Sequence, residues 1–112
     1  IVIIPIANME EYNYYFALRG IWPRVQESGV YGIKSALVGG LYGIKLTGKA
    51  GIFAPLILTP NSDGVLKEAK SYDRDEIVVC DIDLDLIERY NDPYFSDENR
   101  EFFNRYYPSI YE

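Results

Sequence analysis

The chain begins with Ile1-Val2-Ile3-Ile4, four β-branched apolar residues in succession, and Pro5 stops the run. β-Branched side chains are stiff in helices and suit a pleated surface. With no polar alternation, a strand built from them hides both faces, as strands do at the centre of a parallel sheet. A layer of structure is therefore required on each side of it. Chain ends are ordinarily polar and frayed, and the only Met is Met9. The pattern predicts further residues ahead of Ile1.

The 112 residues fit one domain, taken as 1–112, and 48% hydrophobic with 25% charged residues is a globular composition. A mixed chain of this size buries roughly two thirds of its unfolded surface, enough for a modest core. The net charge of −6 opposes a nucleic-acid partner, which needs a basic stripe, and an anionic membrane surface. No run approaches the ~20 apolar residues of a membrane span, and no signal peptide is visible. The single Cys80 cannot form an internal disulfide, which favours a reducing, cytoplasmic compartment. There is no His. Ser-His and Cys-His catalysis are thereby excluded, and the commonest zinc ligand is missing. Acid–base chemistry would fall to carboxylates, lysines or tyrosines.

Periodicity and turn residues predict the order β, α, β, β, β, β, α, α. The first strand covers 1–6, and 8–13 is a polar connection. Tyr14–Arg19 reads as helical, Gly20 interrupts it, and Pro23 suits the first turn of a second helix ending at Gly29. Val30–Val38 is the next strand, and 41–49 reads as irregular and Gly-rich. Ile52–Thr59 is an apolar strand in which Pro55 marks a bulge or a fresh start near Leu56. The turn Pro60–Gly64 leads to Val65–Ala69, with Gly64 supplying positive φ. Ile77–Ile82 reads as a strand. Asp85, with Glu88 three residues on, has the spacing of a capping box. Asp92-Pro93 ends that helix, and Ser96–Arg105 is a last one, stopped by Pro108. An α/β fold follows, a mixed sheet with helices on one face. Its other face is also apolar and needs a partner layer.

Few residues stand out for chemistry. Asn8 and Met9 follow the C-terminal end of a parallel strand, where open α/β sheets bind ligands. They are pocket candidates, against the plainer role of Asn8 as a loop cap. Tyr12, Tyr14 and Tyr15 suit the same entrance, or a core or interface. Arg24 and Glu27, three apart on one helix face, can pair directly. Asp81, Asp83 and Asp85 alternate like a calcium loop, but Leu86 occupies the position where an EF-hand needs Gly. Ending a strand and capping a helix is the simpler role. The glycines of 39–51 lack both dinucleotide and Walker spacing. Cys80, inside an apolar run, reads as a small buried hydrophobe rather than a nucleophile.

The stretch PRVQESGVYGIKSALVG (23–39) resembles the segment that carbon–nitrogen hydrolases, the nitrilase superfamily, carry after their nucleophile strand. Arg24, Glu27, Tyr31 and Val38-Gly39 match its Arg-Ala-x-Glu-Asn, Tyr-bearing strand and Asn-x-Val-Gly pattern, while Val25, Ser28 and Ala36 depart from it. LILTPNSDGVLKEA (56–69) resembles the family's apolar strand, Pro-Asp-Gly turn and returning strand, with Pro55 where Ser is common. EIVVCDIDLDLI (76–87) resembles its strand-to-helix step, and RYYPSIY (105–111) its C-terminal signature. IVIIPIAN (1–8) is similar to the strand after the catalytic cysteine.

The resemblance implies that residues 1–112 are the C-terminal part of a single such domain and contribute to an αββα sandwich. The second sheet would come from another segment or chain. It implies hydrolysis of a non-peptide C–N bond in a small amide, carbamoyl or nitrile substrate by a Glu-Lys-Cys triad. That triad would lie upstream, leaving no catalytic residue here and requiring no metal or cofactor. Arg24 and Glu27 become a structural pair near the site. The family's habit of dimerising would engage the 11 tyrosines, notably the cluster Phe102, Phe103, Tyr106, Tyr107 and Tyr111. Truncation after Arg100 is expected to weaken self-association. Two rivals remain: an acidic interaction domain, complete in itself and without catalysis, or a longer chain that keeps the fold but has lost the triad.

Overall fold

A computed structural model of the protein describes residues 1–89 and 104–106. In chain order the elements are β1 (Val2–Ala7), α1 (Tyr14–Leu18), α2 (Trp22–Ser28) and β2 (Gly32–Leu37). A short pair follows, β3 (Gly39–Leu41) and β4 (Ile44–Leu46). Then come β5 (Gly51–Phe53), a 3-10 turn at Leu56–Leu58, β6 (Val65–Glu68) and α3 (Leu84–Arg89). Four strands form one mixed sheet in the order β1-β2-β5-β6. β1 runs parallel to β2, while β5 is antiparallel to both β2 and β6. The fold is thus mixed α/β, with its helices drawn from the β1–β2 crossover and the C-terminal side.

The crossover helices have local causes. The Asn13 carboxamide oxygen accepts the Tyr15 and Phe16 N–H groups at 3.0 and 3.2 Å, which starts α1. Pro23 sits in the first turn of α2, and Gly29 closes it at φ 59°. Val25 on the buried face of α2 and Ile21 just before the helix meet Phe53 of β5 in the core; Ile4, Leu18, Trp22 and Val65 pack around them. Gly32 permits this approach, because a Cβ there would stand 2.5 Å from Val25 Cγ2.

α2 also holds the β5–β6 connection. The Trp22 indole N–H donates to Asp63 O at 2.7 Å. The Gln26 side chain donates to Ala54 O at 3.0 Å and accepts from Leu56 N at 2.9 Å. Gly64 has the expected positive φ, 79°.

Four expectations need correction. β5 stops at Phe53 rather than running to Thr59; its register with β6 shifts between Ile52 and Phe53, and after Pro55, which lacks an N–H, the chain turns into a 3-10 segment. The stretch 41–49 is partly regular, since β3 and β4 form a two-stranded hairpin. Ile77–Ile82 pairs with no described strand; Ile77 is 89% exposed, and Cys80 is half-buried rather than buried. Finally, α3 starts at Leu84, and Asp83 rather than Asp85 caps it, its carboxylate accepting Asp85 N–H at 2.9 Å. The stop at Asp92-Pro93, most of the Ser96–Arg105 helix and the tail lie outside the described residues. So do Phe102, Phe103, Tyr107 and Tyr111.

The two faces of the sheet differ. Gly32 and Phe53 lie under α2. The alternate positions, Ile3, Ile33 and Ile52, form one row across β1, β2 and β5 on the opposite face. Glu76–Cys80 runs beside Ile33 and Ile52 along a groove of about 430 Å³, and Ile52 is buried. At β1 nothing comparable among the described residues covers the face, and Ile3 is 67% exposed. Among the described residues no helix is long and apolar enough to cross a membrane.

Candidate functional site

The site is a pocket of about 210 Å³ between the helix-facing side of β1–β2 and the crossover. Parity along the strands builds it. Ile4 and Ile6 point the same way from β1, and Lys34 lies two residues on from Gly32 in β2. Phe16 and Ala17 of α1 and Ile21 before α2 form the roof, and Asn8, Tyr12 and Thr47 close the end. Loop hydrogen bonds hold that end together. Thr47 N donates to Asn8 O at 3.1 Å, and its hydroxyl donates to Glu10 O at 2.8 Å. The Tyr12 ring stacks on Tyr72 with centroids 4.8 Å apart. Tyr72 O accepts from Gly48 N.

Lys34 is the unusual member. It is 2% exposed, and its ammonium donates to Ala17 O at 3.0 Å, capping the last turn of α1. It also lies 5.3 Å from the centre of the Phe53 ring. Burial pushes the Lys34 ammonium below the ordinary lysine value; Glu68 pulls it back up, and Lys49 adds to the depression. The strand register explains the Glu68 influence. Lys34 pairs with Gly51, and Gly51 with Glu68, so the two charges stand on either side of a residue with no side chain.

Polar atoms are left over here. The Tyr12 hydroxyl and Glu68 Oε1 are buried without a hydrogen-bond partner. Burial, reinforced by Glu68 and Tyr14, raises the Tyr12 hydroxyl above the usual tyrosine value. Lys49 stands 3.8 Å from Glu68 Oε2 and 5.7 Å from the centre of the Tyr12 ring. At the rim, Arg19 and Glu10 form an exposed ion pair at 3.1 Å.

The candidates read from sequence separate. Asn8 and Tyr12 both line the pocket; Met9, between them in sequence, is 69% exposed and lies outside it. Asn8 also caps its own loop, accepting Glu10 N–H at 3.2 Å. Tyr14 and Tyr15 are exposed and pack edge-to-face on each other. Arg24 and Glu27 form their i,i+3 pair at 2.9 Å on an exposed surface away from the pocket. Tyr31 is buried and anchors the start of α3, donating to Asp83 O at 2.7 Å.

Lys34, Thr47 and Arg19 were missed. A lysine inside the apolar strand GIKSAL, in phase with Gly32, was the available signal. Among the described residues no group of three or more His, Cys, Asp or Glu is placed to hold a metal ion. The pocket offers hydrogen-bond donors on an apolar floor, and Cys80 does not line it.

Comparison with known proteins returned no match: no family model, no curated protein and no solved structure matches the chain.

Proposed function

We propose that the chain is the C-terminal part of a cytoplasmic carbon–nitrogen hydrolase domain of the nitrilase type. In this reading it cleaves a small amide, carbamoyl or nitrile substrate through a Glu-Lys-Cys triad borne by residues ahead of Ile1, without metal or organic cofactor. The observation that carries the reading is the bare β1 side of the sheet. Helices cover one face, while Ile3, in the β1–β2–β5 isoleucine row, is open to solvent on the other. Apolar area of this kind is costly in water, at about 25 cal/mol per Å². A second sheet packed there, as in an αββα sandwich, would remove that cost. The ordered motifs between Arg24 and Ile87 support the same assignment.

Within such an enzyme this segment supplies one sheet, part of the pocket wall near Asn8 and Tyr12, and dimer contacts from its aromatic C-terminal region. The triad would use Glu as base, Cys as nucleophile and Lys to stabilise the developing anion.

The coding sequence ahead of Ile1 provides the test. It is expected to encode a Glu, a Lys and a Cys in that order, the Cys shortly before the β1 strand. The longer protein is expected to release ammonia or amine from amide or carbamoyl substrates and to lose this on Cys→Ala. An upstream region lacking that Cys overturns the assignment and leaves a non-catalytic domain.

A further inference from the structure

We propose that the pocket beneath α1 binds a small apolar monocarboxylate. The inference does not rest on the proposed hydrolase activity, because the pocket lies on the helix-covered side of the sheet and is built wholly from described residues.

Three side chains that line it keep hydrogen-bond donors unused: Lys34, Tyr12 and Asn8. Lys34 has three N–H groups, and one is used by Ala17 O. The Tyr12 hydroxyl is buried and has no partner. The Asn8 carboxamide oxygen takes the Glu10 N–H, while its NH₂ group donates to no described residue. Of the nearby acceptors, Ala17 O is taken by Lys34, and Glu10 O and Asn8 O by Thr47; Glu68 Oε1 has no partner but does not line the pocket. Buried donors with no acceptor cost free energy, and a ligand rich in acceptor oxygens removes that cost.

Charge selects among such ligands. Lys34 and Lys49 stand against the single carboxylate of Glu68, and Arg19 and Glu10 cancel at the rim. The local balance is one positive charge. A monoanion neutralises it, a dianion overshoots, and a cation is repelled. The remaining surface is Ile4, Ile6, Phe16 and Ile21, which suits a hydrocarbon tail. The volume of about 210 Å³ lies below the ~300–1,000 Å³ typical of drug-sized ligands. A short branched-chain acid fits those limits, and a nucleotide does not.

The test titrates the 112-residue protein with 4-methylpentanoate and, in parallel, with neutral 4-methylpentanamide, read by calorimetry and by the ring signals of Tyr12. Saturable carboxylate binding is expected, with the amide at least about tenfold weaker, the usual worth of a charge-assisted hydrogen bond. Lys34→Met is expected to weaken the carboxylate by a further ~10-fold or more. Because Lys34 also caps α1, Tyr12→Phe serves as the second variant. It removes one oxygen atom that bonds nothing in the free protein, so it is expected to keep the fold and lose several-fold in affinity. Equal binding of acid and amide overturns the proposal and leaves an apolar cavity. No saturable binding up to about 10 mM, a free energy near −3 kcal/mol, overturns it in favour of water on the donors. An affinity unchanged in Tyr12→Phe overturns the assignment of this pocket.

Discussion

Lys34 concentrates the physics of the molecule in one side chain. Its ammonium is buried, so the charged form carries a penalty that a solvated lysine escapes. Below its lowered folded value, Lys34 is charged in both folded and unfolded chains, and that penalty is fully present. From there up to the ordinary lysine value the unfolded chain holds more protons, so this residue adds stability as pH rises. Tyr12, Tyr14 and Tyr31 oppose it at still higher pH. Their hydroxyls are raised in the fold, so the unfolded chain ionises first and stability falls. Relative to Lys34→Met, the native protein is therefore expected to gain stability from neutral pH towards pH ~10. Urea midpoints of the two proteins across that range check this; a constant difference would mean the amine is solvated. Phe53 is the complementary case. Fully buried beneath α2, it is expected to cost about 3–5 kcal/mol on substitution by Ala, measured by urea unfolding. Both residues sit in apolar stretches, and the sequence alone could not rank them. Phase along β2 and β5 puts them on one face, but only the docked α2 makes that face the buried one.

Elements with a strong local signal were legible, and those defined by a partner were not. Pro23 and Gly29 bracket α2, and the Pro60–Gly64 turn has its glycine at positive φ. The β3–β4 hairpin escaped notice because its turn is Tyr42-Gly43, with φ 50° and 79°. Two left-handed residues suit a tight hairpin, yet Asn, not Tyr, is the side chain that normally signals one. Tyr42→Asn is accordingly expected to stabilise the protein by up to about 1 kcal/mol, seen as a higher urea midpoint at unchanged slope. Ile77–Ile82 failed in the opposite direction. Its composition is that of a strand, but a strand exists only where a neighbour takes its hydrogen bonds, and no described strand lies beside it. What fixes its beginning is Glu76, whose carboxylate accepts Lys70 N–H at 2.9 Å and Ser71 N–H at 3.1 Å. The Ser71 bond, then that of Lys70, holds the Glu76 carboxyl below its ordinary value. The stabilisation is present above the ordinary glutamate range and disappears as pH falls through the lower folded value. Amide exchange at Lys70 and Ser71, corrected for its intrinsic pH dependence, is expected to lose protection below pH ~4. Glu76→Gln is expected to weaken that protection at neutral pH.

At the scale of the whole molecule, the question is what an asymmetric sheet does in water. One face is sealed by Ile21 and Val25 against Phe53; the other is partly crossed by 76–80 and open at β1. The opening isoleucines predicted a central strand with no solvent face; β1 instead lies at the edge of the described sheet with Ile3 exposed, and the asymmetry follows from helices packing on one face only. The position of the pocket was not legible, because it depends on where α1 lies over β1. An open apolar face has a measurable signature: hydrophobic dyes bind it, and copies of the chain adhere through it. Ile3→Thr is the discriminating substitution. Thr keeps the β-branch that suits a strand, and at a position 67% exposed the change is expected to alter folding stability by no more than about 0.5 kcal/mol. Dye fluorescence and concentration-dependent light scattering are expected to fall together in that variant, while the pocket beneath α1 keeps its ligand affinity. A longer chain carrying the covering sheet is expected to show neither signal, with or without the substitution. Fluorescence that stays high in Ile3→Thr would place the dye elsewhere, on the exposed Leu56 and Ile57 of the β5–β6 connection. The β1 face would then need no second sheet, and the physical ground for a two-sheet enzyme would be gone.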